Sequence, residues 1–188
     1  VILVDCGNDA EAKPLKAALA GKTVAAIFLT HGHPDHLGGC NQFPGVPVYA
    51  GKDEIPMITG TAKWDGPLPH MFPAKDWGVK VTTPLEDNAD VVVDGVHVHA
   101  FAMPGHTKGS MAYAIKKTLY FGDAASADPD DKVHAPVWLF SDDPALGAQS
   151  LHALPAKLTA AHVDGIETYA FAHSGSVKAD PTLLTSVP

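Results

Sequence analysis

The sequence contains no arginine, and all thirteen of its Lys and Arg positions are lysine. Its 21 acidic side chains outnumber them, so the formal net charge is −8 at pH 7. Arginine is the preferred side chain for contacts to phosphates and guanine edges, and nucleic-acid binding needs a basic surface. This charge balance argues against nucleic acid as a partner.

Long apolar runs and cysteines are also scarce. No stretch approaches the ~18 apolar residues that a bilayer crossing needs, so no membrane partner is expected. The opening residues 1–5 are too short for a signal peptide and read as a buried strand, which leaves the compartment, cytoplasmic or exported, undecided. Two cysteines, Cys6 and Cys40, make no disulfide scaffold, and buried thiols are the favoured interpretation.

Hydrophobic patterning predicts a single domain over residues 1–188, of unknown oligomeric state, with no internal repeat. Strands are predicted at 1–4, 23–30, 46–50, 79–83, 90–93, 96–103, 111–115, 118–121 and 168–172, and helices at 9–20, 142–163 and after 180. Residues 51–80 lack a clean period and are interpreted as a long structured loop. Two sheets packed face to face with helices outside would satisfy this order.

The densest cluster of candidate metal ligands is the segment THGHPDH, which follows the predicted strand 23–30. His31 and His33 are two residues apart, so both imidazoles can point to one ion. Asp35 and His36 are adjacent and can turn to a second ion beside it. Imidazole and carboxylate groups are zinc-type ligands. Ligand-type residues at this density predict a metal centre rather than a solvated loop.

Three further candidate ligands each follow a predicted strand. His106 lies in PGHTKGS, Asp123 in FGDA and His173 in AHSG. Each residue alone would also fit an ordinary loop position. Because strand ends converge on one rim of a sheet sandwich, their shared context favours a common site.

These motifs, together with Asp5, stand in the order found in the metallo-β-lactamase superfamily, which the chain resembles over nearly its whole length. Within that superfamily it is most similar to the glyoxalase II-like hydrolases. The resemblance implies an α/β (α+β) fold, a four-layered αββα sandwich. Because the superfamily usually has two more strands ahead of the position of Val1, this sandwich is expected to lack its first N-terminal strands or to have a short first sheet.

The resemblance also implies a role for each candidate ligand. The implied sets are His31, His33 and His106 for one ion, Asp35, His36 and His173 for the other, and Asp123 as the bridge. Asp5 would support the site from behind by accepting the N–H of a ligand. The expected cofactors are two divalent metal ions, zinc in the first place, with iron or manganese as alternatives.

The function that the resemblance implies is a metal-dependent hydrolase of an ester, lactone, thioester or related carbonyl bond in a small-molecule substrate. A metal-bridging hydroxide would attack the carbonyl, and Asp35 would orient it and accept its proton. Two other functions stay open: an iron-dependent oxidoreductase on the same scaffold and a non-catalytic metal-binding module.

Four other residues are candidates for the substrate pocket. Lys108 could pair with a substrate carboxylate, and His134 follows the loop of the bridging aspartate. Trp64 and Phe72, in the long loop, could form an apolar lid over the site or a satellite core beneath the loop.

A second His-x-His pair, His97 and His99, has the same spacing as the first. It alternates with apolar residues along a predicted strand, so both imidazoles would share the polar face. A surface position is the favoured interpretation.

Overall fold

The computed structural model describes all residues from 1 to 188. Its strands are β1 (Ile2–Val4), β2 (Ala26–Leu29), β3 (Val48–Gly51), β4 (Thr83–Leu85), β5 (Ala89–Val93), β6 (Val96–Ala102), β7 (Met111–Ile115), β8 (Thr118–Tyr120), β9 (Ser126–Ala127), β10 (Val133–His134), β11 (Thr168–Phe171) and β12 (Gly175–Lys178). Its helices are α1 (Lys13–Leu19), α2 (Pro34–Leu37), α3 (Ile55–Ile58), α4 (Pro144–Ala160) and α5 (Pro181–Thr185). None of these helices has the length and hydropathy that a membrane crossing requires.

The strands form two main sheets. Strands β1 to β4 pair in parallel in the order β1-β2-β3-β4. The second sheet has six strands in the order β12-β11-β8-β7-β6-β5, and only the β8–β11 pair within it is parallel. Strands β9 and β10 pair with each other outside both sheets.

Alternation along β2 divides the core into layers. Ala26 and Phe28 face the second sheet, where the ring of Phe28 packs edge-on against that of Tyr113. Ile27 and Leu29 belong to a separate cluster that includes the apolar side of α1. A third cluster packs the other face of the second sheet against α4 and α5. The layers therefore run helix, sheet, sheet, helix, which confirms the predicted αββα sandwich.

Some predicted boundaries need correction. The first helix begins at Lys13 rather than at residue 9, because the Asp9 carboxylate accepts hydrogen bonds from the backbone N–H groups of Glu11 and Lys13 and forms a turn ahead of the helix. The strand predicted at 79–83 lies at 83–85, and β9, β10 and β12 were not predicted. With two to four residues each, these strands are too short to show a period in the sequence.

The prediction of two free thiols is wrong, because Cys6 and Cys40 form a disulfide. Backbone hydrogen bonds from Cys6 to His36 and from Gly39 to Gly7 hold the two segments together. They bring the two cysteine Cα atoms to 5.3 Å, within the range that a disulfide can bridge. The disulfide therefore closes a loop that contains the THGHPDH segment.

Candidate metal centre

The seven predicted ligands lie together in two adjoining groups. Within each group the potential ligand atoms are all within 4.8 Å of one another. The first group contains His31, His33 and His106, and the second contains Asp35, His36, Asp123 and His173. The roles of these residues stay predictions, but the structure brings all seven to one place.

The first group is a nearly equilateral triangle of imidazole nitrogens. His31 Nε2 lies 3.0 Å from His33 Nδ1, and His106 Nε2 lies 3.1 Å and 3.0 Å from these two atoms. Three nitrogens bound tetrahedrally at ~2.0–2.1 Å from a zinc ion would be about 3.3–3.4 Å apart. All three side chains are buried. The donor set therefore fits one tetrahedral ion with little movement.

Neighbouring hydroxyl groups fix the tautomers of two of these histidines. Thr30 Oγ1 donates to Asp5 Oδ2 at 2.7 Å, so it can only accept from His31 Nδ1, 3.1 Å away. Ser141 Oγ donates to the carbonyl of Val137 at 2.7 Å, so it accepts from His106 Nδ1 at 3.0 Å. Both Nε2 atoms are left with a lone pair that points into the triangle.

The second group surrounds the carboxylate of Asp123. Its Oδ2 atom lies 3.5 Å from His36 Nε2, 3.4 Å from His173 Nε2 and 3.8 Å from His106 Nε2. Asp35 Oδ2 is 3.2 Å from His173 Nε2. Asp123 thus faces both groups, as expected of a bridging ligand.

Two buried imidazole nitrogens have no hydrogen-bond partner, His33 Nε2 and His36 Nε2. The Nδ1 atom of His36 donates to Asp5 Oδ2 at 2.8 Å, so in the neutral form, the one that binds a metal, the Nε2 lone pair would face the second group. Buried polar atoms are nearly always paired in native proteins. The orphaned Nε2 of His36 is therefore an independent sign that this group fits a cation.

Parallel strand pairing explains how distant residues reach this site. Strands β8 and β11 are parallel neighbours, so Asp123 and His173 leave the same edge of the second sheet. His31 follows β2 in the first sheet, and the N–H of Met111 donates to the carbonyl of Thr30 at 2.8 Å, which joins the two sheets there. The loop of His106 enters the same region because it precedes β7.

Glu54, which the sequence analysis does not single out, links the two loops of the first group. Its Oε1 accepts from the Gly32 N–H at 2.8 Å, between His31 and His33. Its Oε2 accepts from Thr107 Oγ1 at 2.6 Å and from the Gly109 N–H at 3.1 Å, next to His106. Burial raises the pKa of Glu54 to about 7, and these hydrogen bonds oppose that rise.

Burial and charge separate the two groups electrostatically. Burial lowers the pKa of His33 to about 4, that of His106 to about 3 and that of His31 well below its usual value. These three are neutral at pH 7, the form in which imidazole binds a metal. Burial acts on His36 in the same direction, but Asp5 and Asp123 outweigh it and raise its pKa to about 10. Positive charge is thus favoured in the second group.

A cavity of about 730 Å³ opens onto both groups. Trp64 and Phe72 line it, as a contact with substrate would require. That contact itself stays a prediction. Lys108 and His134 do not line it; Lys108 pairs with Asp65 at 2.6 Å and His134 with Asp128 at 3.0 Å.

His97 and His99 lie on the polar face of β6, as predicted. Both approach Asp90 of the neighbouring strand β5, at 2.9 Å and 3.6 Å. The potential ligand atoms of these three residues also lie within 4.8 Å of one another, but the side chain of His97 is 62% exposed. This third group is separate from the candidate metal centre.

An αββα sandwich whose strand ends carry two adjoining groups of histidine and aspartate defines a class of metal-binding proteins. Within that class, the sequence model of the metallo-beta-lactamase superfamily matches residues 1–173. The chain belongs to this superfamily, which confirms the resemblance drawn from its motifs.

Two curated relatives carry hydrolase names. The probable metallo-hydrolase YybB of Bacillus subtilis is 32% identical over 151 residues, which are 76% of this chain and 64% of that protein. Hydroxyacylglutathione hydrolase of Pseudomonas entomophila is 33% identical over 129 residues, which are 66% of this chain and 42% of that protein. The chain therefore spans less than two thirds of the length of either relative.

Solved structures share the fold at lower identity. The B3 metallo-beta-lactamase BLEG-1 has a TM-score of 0.68 at 23% identity, and the aligned region covers 94% of this chain and 82% of the BLEG-1 chain. TTHA1623, solved in a di-iron-bound form, has a TM-score of 0.68 at 21% identity, and the aligned region covers 98% of this chain and 86% of the TTHA1623 chain. At these identities the likeness shows the fold alone.

Proposed function

We propose that this protein is a metal-dependent hydrolase that cleaves an ester, lactone, thioester or related carbonyl bond. The reaction would use two zinc ions bound at the candidate metal centre. The observation that carries the proposal is the position of Asp123, whose Oδ2 faces His36 of one group and His106 of the other. A single carboxylate between two ligand groups suits a pair of ions. The hydrolase names of the two relatives support the reaction type.

The ligand set agrees with the chemistry that the proposal needs. Two divalent ions bound there would supply a water of pKa near ~7 and polarise the carbonyl oxygen of the substrate. Asp35, whose side chain is 39% exposed, lines the cavity and can orient the attacking water and accept its proton. Asp5 and Ser141 hold the imidazoles of His36 and His106 in fixed orientations, which leaves little reorganisation for the reaction.

Initial rates of the zinc-loaded protein test the proposal. The substrates are an aryl ester, an acyl-homoserine lactone, an S-acyl thioester and a β-lactam, and we expect turnover of at least one class. Asp35→Asn should lower kcat by roughly 10²–10⁴-fold, the usual contribution of a general base. Zinc-filled protein that turns over none of the four would contradict the proposal, and full activity of Asp35→Asn would remove its assigned role.

One alternative has an observation in its favour. His36 and His173 with one carboxylate form a 2-His-1-carboxylate set, which also suits iron. Elemental analysis of protein purified without added metal, followed by a redox assay, distinguishes an iron-dependent oxidoreductase from the zinc hydrolase. A metal-binding module without catalysis would keep its metal and show neither activity.

A further inference from the structure

The cavity at the candidate metal centre has two chemically different sides. Its metal-facing side is lined by His33, Asp35, His106, Asp123 and His173. The other lining residues form its apolar side and are mostly aromatic and aliphatic, among them Trp64, Leu68, Phe72, Trp77, Val137 and Phe140. A volume of about 730 Å³ lies within the usual range of small-molecule sites, so the cavity can hold a group well beyond the carbonyl itself.

Exposed apolar side chains concentrate at the rim of this cavity. Six of the nine large apolar side chains that are exposed on the protein lie in two short segments, 71–72 and 137–140. Phe72 is 57% exposed and Phe140 is 43% exposed. Isolated exposed apolar residues are ordinary, but a contiguous group next to a cleft indicates a binding surface.

The fold holds these two segments together. The N–H of Leu68 donates to the carbonyl of Leu139 at 3.0 Å. One oxygen of Asp142 accepts from the N–H groups of Asp65 and Gly66, at 2.7 Å and 2.9 Å. The apolar rim is therefore held by hydrogen bonds between distant parts of the chain.

Charged groups on the apolar side are few. Lys75 is the only lysine that lines the cavity, and its Nζ lies 4.1 Å from the centre of the Trp77 ring. The Lys75 ammonium group therefore makes a cation–π contact with this ring. Ser126 is the one other polar lining residue apart from the metal-facing groups.

We infer that the substrate carries a hydrocarbon chain or an aromatic ring next to the cleaved carbonyl, and that this group lies against Trp64, Phe72 and Phe140. The inference rests on the proposed function, because it places the carbonyl at the metal-facing side of the same cavity. Each methylene that moves from water onto these residues adds binding energy, so affinity should grow with chain length.

A series of p-nitrophenyl esters with one leaving group tests this inference on the zinc-loaded protein. From acetate through butanoate to octanoate, kcat/KM should rise by roughly two- to fourfold per added methylene. Phe72→Ala should flatten this rise, and because Phe72 is exposed, the variant should still fold. Val92→Ala is the matched control, since Val92 is an apolar residue of similar exposure, 56%, and lies outside both the cavity and its rim.

A second readout does not depend on turnover. Binding of acetate, butanoate and octanoate to the zinc-loaded protein can be followed by tryptophan fluorescence, because Trp64 and Trp77 line the cavity. We expect octanoate to bind more tightly than acetate, and Phe72→Ala to reduce the difference.

The outcomes separate the inference from the proposed function. Turnover with the same kcat/KM at every chain length would overturn the inference and leave the hydrolase intact. If no ester is turned over, the other three substrate classes decide the hydrolase, and the order of alkanoate affinities decides the inference. The rim could also be a subunit contact. In that case the protein would be a dimer in solution, Phe72→Ala would be a monomer, and the chain-length dependence would be unchanged. This result would overturn the inference as well.

Discussion

The chain contains two His-x-His pairs with the same spacing and different surroundings. His31 and His33 follow the end of β2, and both are buried. His97 and His99 lie within β6, and their side chains are 62% and 24% exposed. Each pair also has a carboxylate nearby. Spacing alone therefore does not distinguish a metal centre from a polar strand face.

The difference lies in what the imidazole nitrogens contact. Around the first pair, Thr30 and Ser141 accept from the Nδ1 atoms of His31 and His106, so that the two Nε2 lone pairs converge with His33 Nδ1 in one buried triangle. In the second pair, Asp90 accepts from His97, and water can satisfy the remaining atoms. Burial and the convergence of three imidazole nitrogens are what mark the first pair as a site.

The largest effect should come from removing the third ligand of the group that contains the buried pair. His106→Ala leaves two nitrogens of the triangle, so zinc affinity and kcat/KM should each fall by at least about 100-fold, more than the loss of a supporting residue costs. Titration against a chelating indicator gives the affinity, and circular dichroism checks that the variant is folded. Wild-type affinity in the folded variant would contradict the assignment of His106.

A smaller effect is expected from the residue behind the second group. Asp5→Asn removes the charge that orients His36 and should reduce metal affinity by about 10–100-fold. Asparagine is the suitable replacement because Asp5 has φ 61°, a left-handed conformation that Asn tolerates. If affinity stays within twofold of wild type, Asp5 does not support the centre through His36.

Part of this site could be predicted because its ligands are dense in sequence. Four of the seven lie within the THGHPDH segment, and the other three each follow a strand whose apolar run is visible. The long strands and α4 were found for the same reason. Local periodicity is strong there, and it depends on no distant residue.

Of the residues that orient the ligands, Asp5 was expected from the resemblance, but Glu54 and Ser141 could not be predicted in this way. Glu54 contacts Gly32 and Gly109, 22 and 55 positions away, and it lies in a region without a period. Ser141 reaches His106 across 35 positions. The Cys6–Cys40 disulfide likewise depends on backbone contacts between β1 and the end of α2. Such pairings are set by tertiary packing, which single-sequence patterns do not contain.

Glu54→Gln tests this tertiary link. Gln keeps the size of the side chain but replaces one acceptor oxygen with a donor, which would face the N–H of Gly109 or Gly32. The free energy of unfolding should fall by about 1–3 kcal/mol, the cost of an unsatisfied buried group. Urea denaturation measures it, and Glu86→Gln is the matched control, because Glu86 is 68% exposed and should change stability by less than about 0.5 kcal/mol. Equal effects of the two substitutions would show that Glu54 does not join the two loops.

The smallest effect should come from the exposed pair. His97→Ala removes an imidazole that water and Asp90 already satisfy, so stability should change by less than about 0.5 kcal/mol. Zinc affinity and kcat/KM of the candidate metal centre should stay within about twofold of wild type, because His97 lies outside both ligand groups. The same titration and rate measurements as for His106→Ala check this. If His97→Ala lost zinc as His106→Ala is expected to, burial and the convergence of imidazole nitrogens would not be what distinguishes the two His-x-His pairs.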